Sequence, residues 1–111
     1  MSVEVTDGGR PAVVVRIALP AQLRDLARVT GEIVVHVADP ATIAATLDAL
    51  EGDHPALAGT VRDRETGARR PMIRIYADGE DYSNVPLTTA LPVSVLDGRE
   101  PLRFVGSIAG G

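Results

Sequence analysis

The sequence predicts a single α+β domain, and three observations carry that prediction. Short apolar runs with two-residue alternation recur at residues 11–20, 32–39, 71–77 and 101–107, the period of half-buried strands. One segment, residues 40–51, carries its apolar residues at helical spacing instead. Pairs of turn-forming residues punctuate the runs, and 111 residues suffice for one hydrophobic core.

Residues 1–10 read as a flexible N-terminal extension, with Gly8-Gly9 interrupting any strand. "PAVVVRIALP" (11–20) is a strand bounded by prolines, with Val13, Val15, Ile17 and Leu19 on one face and Arg16 on the other. "AQLRDLARVTGE" (21–32) is polar with few leucines and reads as a long hairpin loop. "EIVVHVAD" (32–39) is a second strand, directing Ile33, Val35 and Val37 to one side. A helix is then expected from about 40 to 51, with Asp39 as N-cap, Pro40 in the first turn and Ile43, Leu47 and Leu50 inward. Gly52 is its expected stop, and Pro55 prevents resumption. "GTVRDRETGARRP" (59–71) is arginine-rich and turn-prone, a surface loop. A strand with Ile73 and Ile75 inward leads to the Asp78-Gly79 turn and a short return. A second Asp-Gly pair at 97–98 precedes the last strand, centred on Leu102, Phe104 and Val105.

That order is strand, strand, helix, strand, short strand, final strand. A hairpin followed by one main helix packed across a mixed sheet of four to five strands, with the first and last strands central and parallel, is the β-grasp plan of ubiquitin. The division is an extension over 1–10, a β-grasp domain over 11–106, and a flexible C-terminal tail over 107–111.

Composition narrows the function. The net charge is −4, and Tyr76, Tyr82 and Phe104 are the whole aromatic complement, so the basic, aromatic surface that nucleic acids require is not expected. With no cysteine, disulfides, thiolate metal sites and thiol nucleophiles are ruled out. His36 and His54 fall in no metal-ligand spacing and form no triad, so no metal site is expected. The carboxylates of "EGDH" and "DGEDY" sit where turns want them. Arginines 62, 64, 69, 70 and 74 make a local basic patch, read first as a solvated surface and second as an acidic-partner contact. No glycine-rich phosphate loop precedes a helix. Apolar stretches are too short to span a bilayer, and the N-terminus lacks the charge and apolar run of a signal peptide, so a cytoplasmic protein without membrane contact is expected.

All eleven basic residues are arginine. Codon usage in a GC-rich genome accounts for this. So does a chemistry in which a lysine amine would attack an activated group on the same chain.

The remaining signal is the end, "SIAGG" (107–111), which follows the last expected strand. Together, "YADGED" (76–81), "LDGREPLRF" (96–104) and "SIAGG" resemble the C-terminal half of the MoaD/ThiS-type ubiquitin-like sulfur carriers, whose last strand ends in Ala-Gly-Gly. "PATIAATLDALEGDHPAL" (40–57) resembles that family's helix and its exit. The resemblance spans about residues 13–111, and the polar insert at 59–71 looks most like the actinobacterial carrier that feeds cysteine synthesis.

The resemblance implies a carrier rather than an enzyme, with no bound cofactor. An E1-like activating enzyme of the MoeB/ThiF type would use ATP and magnesium to adenylate the Gly111 carboxylate, and sulfur would then replace AMP to leave a thiocarboxylate. That sulfur would pass to a synthase, of the pyridoxal-phosphate cysteine synthase or molybdopterin synthase large subunit type. Gly110 and Gly111, lacking Cβ, suit a narrow active site. Ser107 and Ala109 are small, and Ile108 is the one bulky residue, a possible anchor there. Five extended residues reach about 17 Å. Phe104, near the tail, is the expected docking residue. Two alternatives stay open: a ubiquitin-like modifier using the same activated end on target lysines, and a plain β-grasp interaction module.

Overall fold

A computed structural model describes residues 3–7 and 10–106 of the chain. Val3–Asp7 (β1) and Arg10–Ala18 (β2) lead into Ala21–Ala27 (α1), Ile33–Ala38 (β3) and Ile43–Asp53 (α2). A 3-10 turn at Pro55–Leu57 and a long excursion precede Ile73–Ala77 (β4), Glu80–Asp81 (β5), Val93–Leu96 (α3) and Leu102–Gly106 (β6).

The strands form one mixed sheet. Its main order is β3-β2-β6-β4-β5, and β1 shares with β6 the edge of β2 that β3 leaves free. β2 and β6 are parallel, through Ile17 opposite Leu102, and every other pairing is antiparallel. The expected central, parallel first and last strands are therefore present. The expectation of a loose 1–10 extension is corrected: β1 pairs with β2, Val3 opposite Val13 and Asp7 opposite Arg10.

Alternation places Val15, Ile17, Val35, Val37, Ile75, Leu102 and Phe104 in the core, all 1% exposed or less. α2 covers this face with Ile43, Leu47 and Leu50, all buried. Its start differs from the expected one. Asp39-Pro40 is a cis peptide, and the cap is Thr42, whose Oγ1 accepts from the Ala45 N–H at 3.0 Å. The helix also runs through Gly52 and ends at His54, whose N–H reaches the Leu50 carbonyl at 2.8 Å. A glycine in a last turn costs only about 1 kcal/mol relative to alanine, whereas Pro55 has no N–H to continue the ladder.

Residues 21–27 are helical, not the expected loop. The Pro20 carbonyl accepts from the N–H groups of Leu23 and Arg24, both at 3.0 Å, and Leu23 is buried. Arg28 in the left-handed region (φ 60°) closes the helix, with the Val29 N–H on the Arg24 carbonyl, a Schellman-like end. α1 also packs on the 3-10 turn. One buried leucine gives no readable periodicity, so tertiary packing decides this element.

The excursion at 59–71 lies at the surface but is tied down. Val61 is 1% exposed. Asp63 accepts from the N–H groups of Glu65 and Thr66, and Asp63 and Ala68 close a turn at 2.7 Å.

Candidate functional site: the exit of the last strand

β6 lies between β2 and β4: it pairs with β2 at Leu102 and Arg103 and with β4 from Arg103 to Gly106, so β4 carries it to the end of the sheet. Gly106 is its last residue, opposite Ile73. The expected site residues Ser107, Ile108, Ala109, Gly110 and Gly111 lie outside the described residues. What the structure defines is the surface from which they depart.

That surface has two parts. An apolar groove of about 290 Å³ opens beside Gly106, walled by Pro20, Leu23, Met72 and Ile73, with Thr60 and Arg70 at its rim. The second part is the outer face of the sheet. Arg103 and Val105 point outward from β6, and register sets them beside Tyr76 and Arg74 of β4. Val14 and Arg16 of β2 lie opposite His36 and Val34 of β3 on the same face. Val105, Val34 and Met72 are exposed.

Phe104, the expected docking residue, is corrected. It alternates with the outward Arg103 and Val105, and its ring is 1% exposed in the core. It stabilises β6 and offers no surface to a partner.

The outer face is held by ion pairs. Arg16 grips Glu32 with two hydrogen bonds, 2.8 and 3.0 Å, and donates to the Gly98 carbonyl at 2.7 Å, tying β2 to the turn before β6. The guanidinium of Arg16 hydrogen-bonds the Glu32 carboxylate and lowers its pKa. Across β4, Asp81 is lowered to about 2 by the Ser83 hydroxyl and N–H, with Arg74 contributing. Arg74 also pairs directly with Asp81.

Most of the arginine patch is structural. Arg62 binds Asp48 at 2.5 Å and Glu51 at 3.0 Å. Arg69 donates to the carbonyls of Ser83 and Ile73, both at 2.7 Å. Arg70 donates to the Gly59 carbonyl at 2.8 Å. The two carboxylate clusters also have turn roles. Asp78 and Gly79 both take positive φ, 53° and 76°, the conformation a tight two-residue hairpin needs. His36 is exposed on β3, and His54 caps α2. Among the described residues, no group of three or more potential metal ligands is present, and no helix is long and apolar enough to cross a membrane.

Among the described residues, no constellation resembles a catalytic centre. The parallel β2–β6 pair at the middle of the sheet, α2 packed across it and the last strand emerging at its end define a ubiquitin-like β-grasp fold, the fold of the MoaD/ThiS-type proteins that the sequence resembles. Solved structures bear out that resemblance. SAMP1 from Haloferax volcanii is 28% identical over 88% of this chain and 99% of its own, with a TM-score of 0.68. A chain of the Amycolatopsis orientalis BexX/CysO complex, 21% identical over 87% of this chain and 99% of its own, also superposes with a TM-score of 0.68. SAMP1 from Methanosarcina acetivorans, at 17% identity, covers 90% of this chain and 98% of its own at a TM-score of 0.66. No family model matches the chain, and neither does any curated protein. The Methanosarcina neighbour is a small archaeal modifier protein by name.

Proposed function

We propose that this protein is a sulfur carrier. Its Gly111 carboxylate attacks the α-phosphate of ATP in a MoeB/ThiF-type E1-like enzyme, releasing pyrophosphate and forming an acyl-adenylate. A sulfur donor then displaces AMP, leaving a thiocarboxylate that a sulfur-accepting synthase consumes. That synthase is of the pyridoxal-phosphate cysteine synthase or molybdopterin synthase large subunit type. ATP and magnesium belong to the activating enzyme, and catalysis belongs to the partners.

One observation carries this reading: the central strand β6, paired with β2 at its start and with β4 through to Gly106, is followed directly in sequence by "SIAGG". A rigid strand fixes where the tail leaves, and the small residues let it enter a closed site. The outward neighbours of Phe104, Arg103 and Val105, form the partner-facing surface in this reading. A second reading has support of its own. The neighbour at 26% identity is a small archaeal modifier protein, and the same activated Gly111 would form isopeptide bonds with target lysines. A lysine-free chain suits both chemistries, because no side-chain amine of its own competes for the activated carboxylate.

Intact mass spectrometry tests the proposal. The protein is incubated with a MoeB/ThiF-type enzyme, ATP, magnesium and sulfide, beside a variant lacking Gly111. A mass gain equal to exchange of oxygen for sulfur, blocked by a thiol alkylator and lost in the variant, is expected. Gly111 linked to lysines of other proteins in a cell lysate would favour the modifier. No adduct of either kind, with an enzyme active on its own carrier, would overturn both.

A further inference from the structure

The parallel pairing of β2 with β6 stops at Ala18 opposite Arg103, whereas β4 pairs with β6 as far as Gly106. Beyond Arg103, β6 therefore has a strand on one side only among the described residues. Which of its backbone groups are left over follows from β4. Ile75 donates its N–H to the Ser83 hydroxyl at 2.8 Å, and its carbonyl accepts from the Tyr82 N–H at 2.7 Å, so Ile75 bonds toward β5. Alternation turns Arg74 and Tyr76 toward β6, where they meet Val105 and Arg103. Phe104 and Gly106 then direct their carbonyls and N–H groups to the side that β2 leaves.

Pro20 is the reason that β2 leaves. Two residues past the Ala18–Arg103 pair, residue 20 would stand opposite Val105, bonding the Phe104 carbonyl and the Gly106 N–H. Proline has no N–H to give, and the Pro20 carbonyl already accepts from Leu23 and Arg24, both at 3.0 Å. The Phe104 carbonyl and both backbone groups of Gly106 thus have no partner among the described residues. They border a cleft of about 180 Å³ walled by Ala18, Leu19, Pro20, Arg103 and Val105. Arg103 is exposed beside it. Arg16 and Arg74 are committed to Glu32 and Asp81, but Arg103 makes no hydrogen bond or ion pair among the described residues. Glu32, lowered chiefly by its hydrogen bond from Arg16, also feels the Arg103 charge, yet the Arg103 donors stay open.

We propose that an extended segment of a partner enzyme adds to this open half-edge of β6, pairing with Phe104 and Gly106 and setting an aspartate or glutamate on Arg103. An added strand supplies the donor and acceptors that Pro20 withholds, and a carboxylate fits the guanidinium fork. A second copy of this chain is a poor occupant, because a two-fold pairing of the same edges brings two Arg103 side chains together. That the partner is the activating enzyme rests on the carrier reading, since the half-edge belongs to the strand that leads to the chain end. The vacancy in the ladder does not rest on it.

Hydrogen exchange read at single residues tests this, with the full chain alone and with a MoeB/ThiF-type enzyme in the absence of ATP. In the free chain the Arg103 and Val105 amides, bonded to β4, should exchange slowly and the Gly106 amide fast. In the complex the Gly106 amide should slow by about tenfold or more, as a newly bonded amide does. The variant lacking Gly111, which cannot be activated, should show the same protection. Arg103→Glu should weaken binding by about tenfold or more and leave the denaturant midpoint in place. Binding without a change at Gly106 would overturn the proposal, as would full affinity in Arg103→Glu. Protection of Gly106 that rises with the concentration of this chain alone would assign the edge to a second copy and overturn it too, as would no binding to an enzyme active on its own carrier. A chain that gains the thiocarboxylate with Gly106 unprotected fails only here. One that protects Gly106 but gains no thiocarboxylate fails only the proposed function.

Discussion

Phe104 has Arg103 before it and Val105 after it, and strand parity alone separates their roles. Its ring fills the core beneath β6, so Phe104→Ala should cost about 3–5 kcal/mol of unfolding free energy in denaturant titrations. Partner binding by the variant, measured where it is still folded, should hold. A variant that loses binding at full stability would restore Phe104 as a contact. Asp81 is a second residue with a definite signature. Its carboxylate sits below its ordinary value of 3.8, at about 2, because it accepts from Ser83 and Arg74. Stabilisation by a group with a lowered folded pKa is complete above the unfolded value and lost as pH falls through the folded one. The stability difference between wild type and Asp81→Asn should therefore be flat above about pH 5, be mostly lost by about pH 2 and vanish only below it. A difference that persists unchanged to pH 2 would contradict the assignment.

At the scale of elements, caps and turns decide more than propensities do. α2 begins at Thr42 because its hydroxyl satisfies Ala45 and segment 87–91 pairs with its start, Ala44 donating to the Leu87 carbonyl at 2.8 Å. Thr42→Ala keeps the backbone pairing and loses the cap, an expected cost of about 1 kcal/mol in thermal melts. The β4–β5 turn depends on Gly79 at φ 76°. Nothing crowds a Cβ there, so the cost of Gly79→Ala is conformational, about 1 kcal/mol or more. A neutral Gly79→Ala would mean that the turn relaxes to another type. The N-cap shows how an element can be legible while its boundary is not. Asp39-Pro40 has every local mark of a helix start, and the chain uses it as a cis turn three residues earlier.

At the scale of the molecule, the electrostatics share one direction. Glu32, Asp63, Asp81 and Asp97 all have lowered pKa values, from hydrogen bonds to Arg16, to the backbone N–H groups of Thr66 and Glu65, to Ser83, and to the backbone N–H of Arg99. Each contribution is present above the ordinary carboxylate range and lost on acidification. Unfolding free energy should be level from about pH 5 to neutrality and fall steadily toward pH 2, followed by urea titration at each pH. A maximum near pH 4 would show that carboxylate repulsion, rather than these bonds, sets the balance.

The sequence by itself determined the β-grasp class, the parallel central pair and both Asp-Gly turns. Each of these rests on local chemistry: two-residue alternation in Val15 and Ile17, helical spacing in Ile43, Leu47 and Leu50, and positive φ at Gly79 and Gly98. Only the tertiary structure decided that 21–27 is a helix, that β1 joins the sheet, that the arginines are mostly spent on neighbours, and that Phe104 is buried. Those outcomes depend on partners distant in sequence: Leu23 under the 3-10 turn, Arg62 on Glu51, Arg69 on Ser83. A strand's parity can be read from its own residues, but which of its faces meets the core is set by what packs against it.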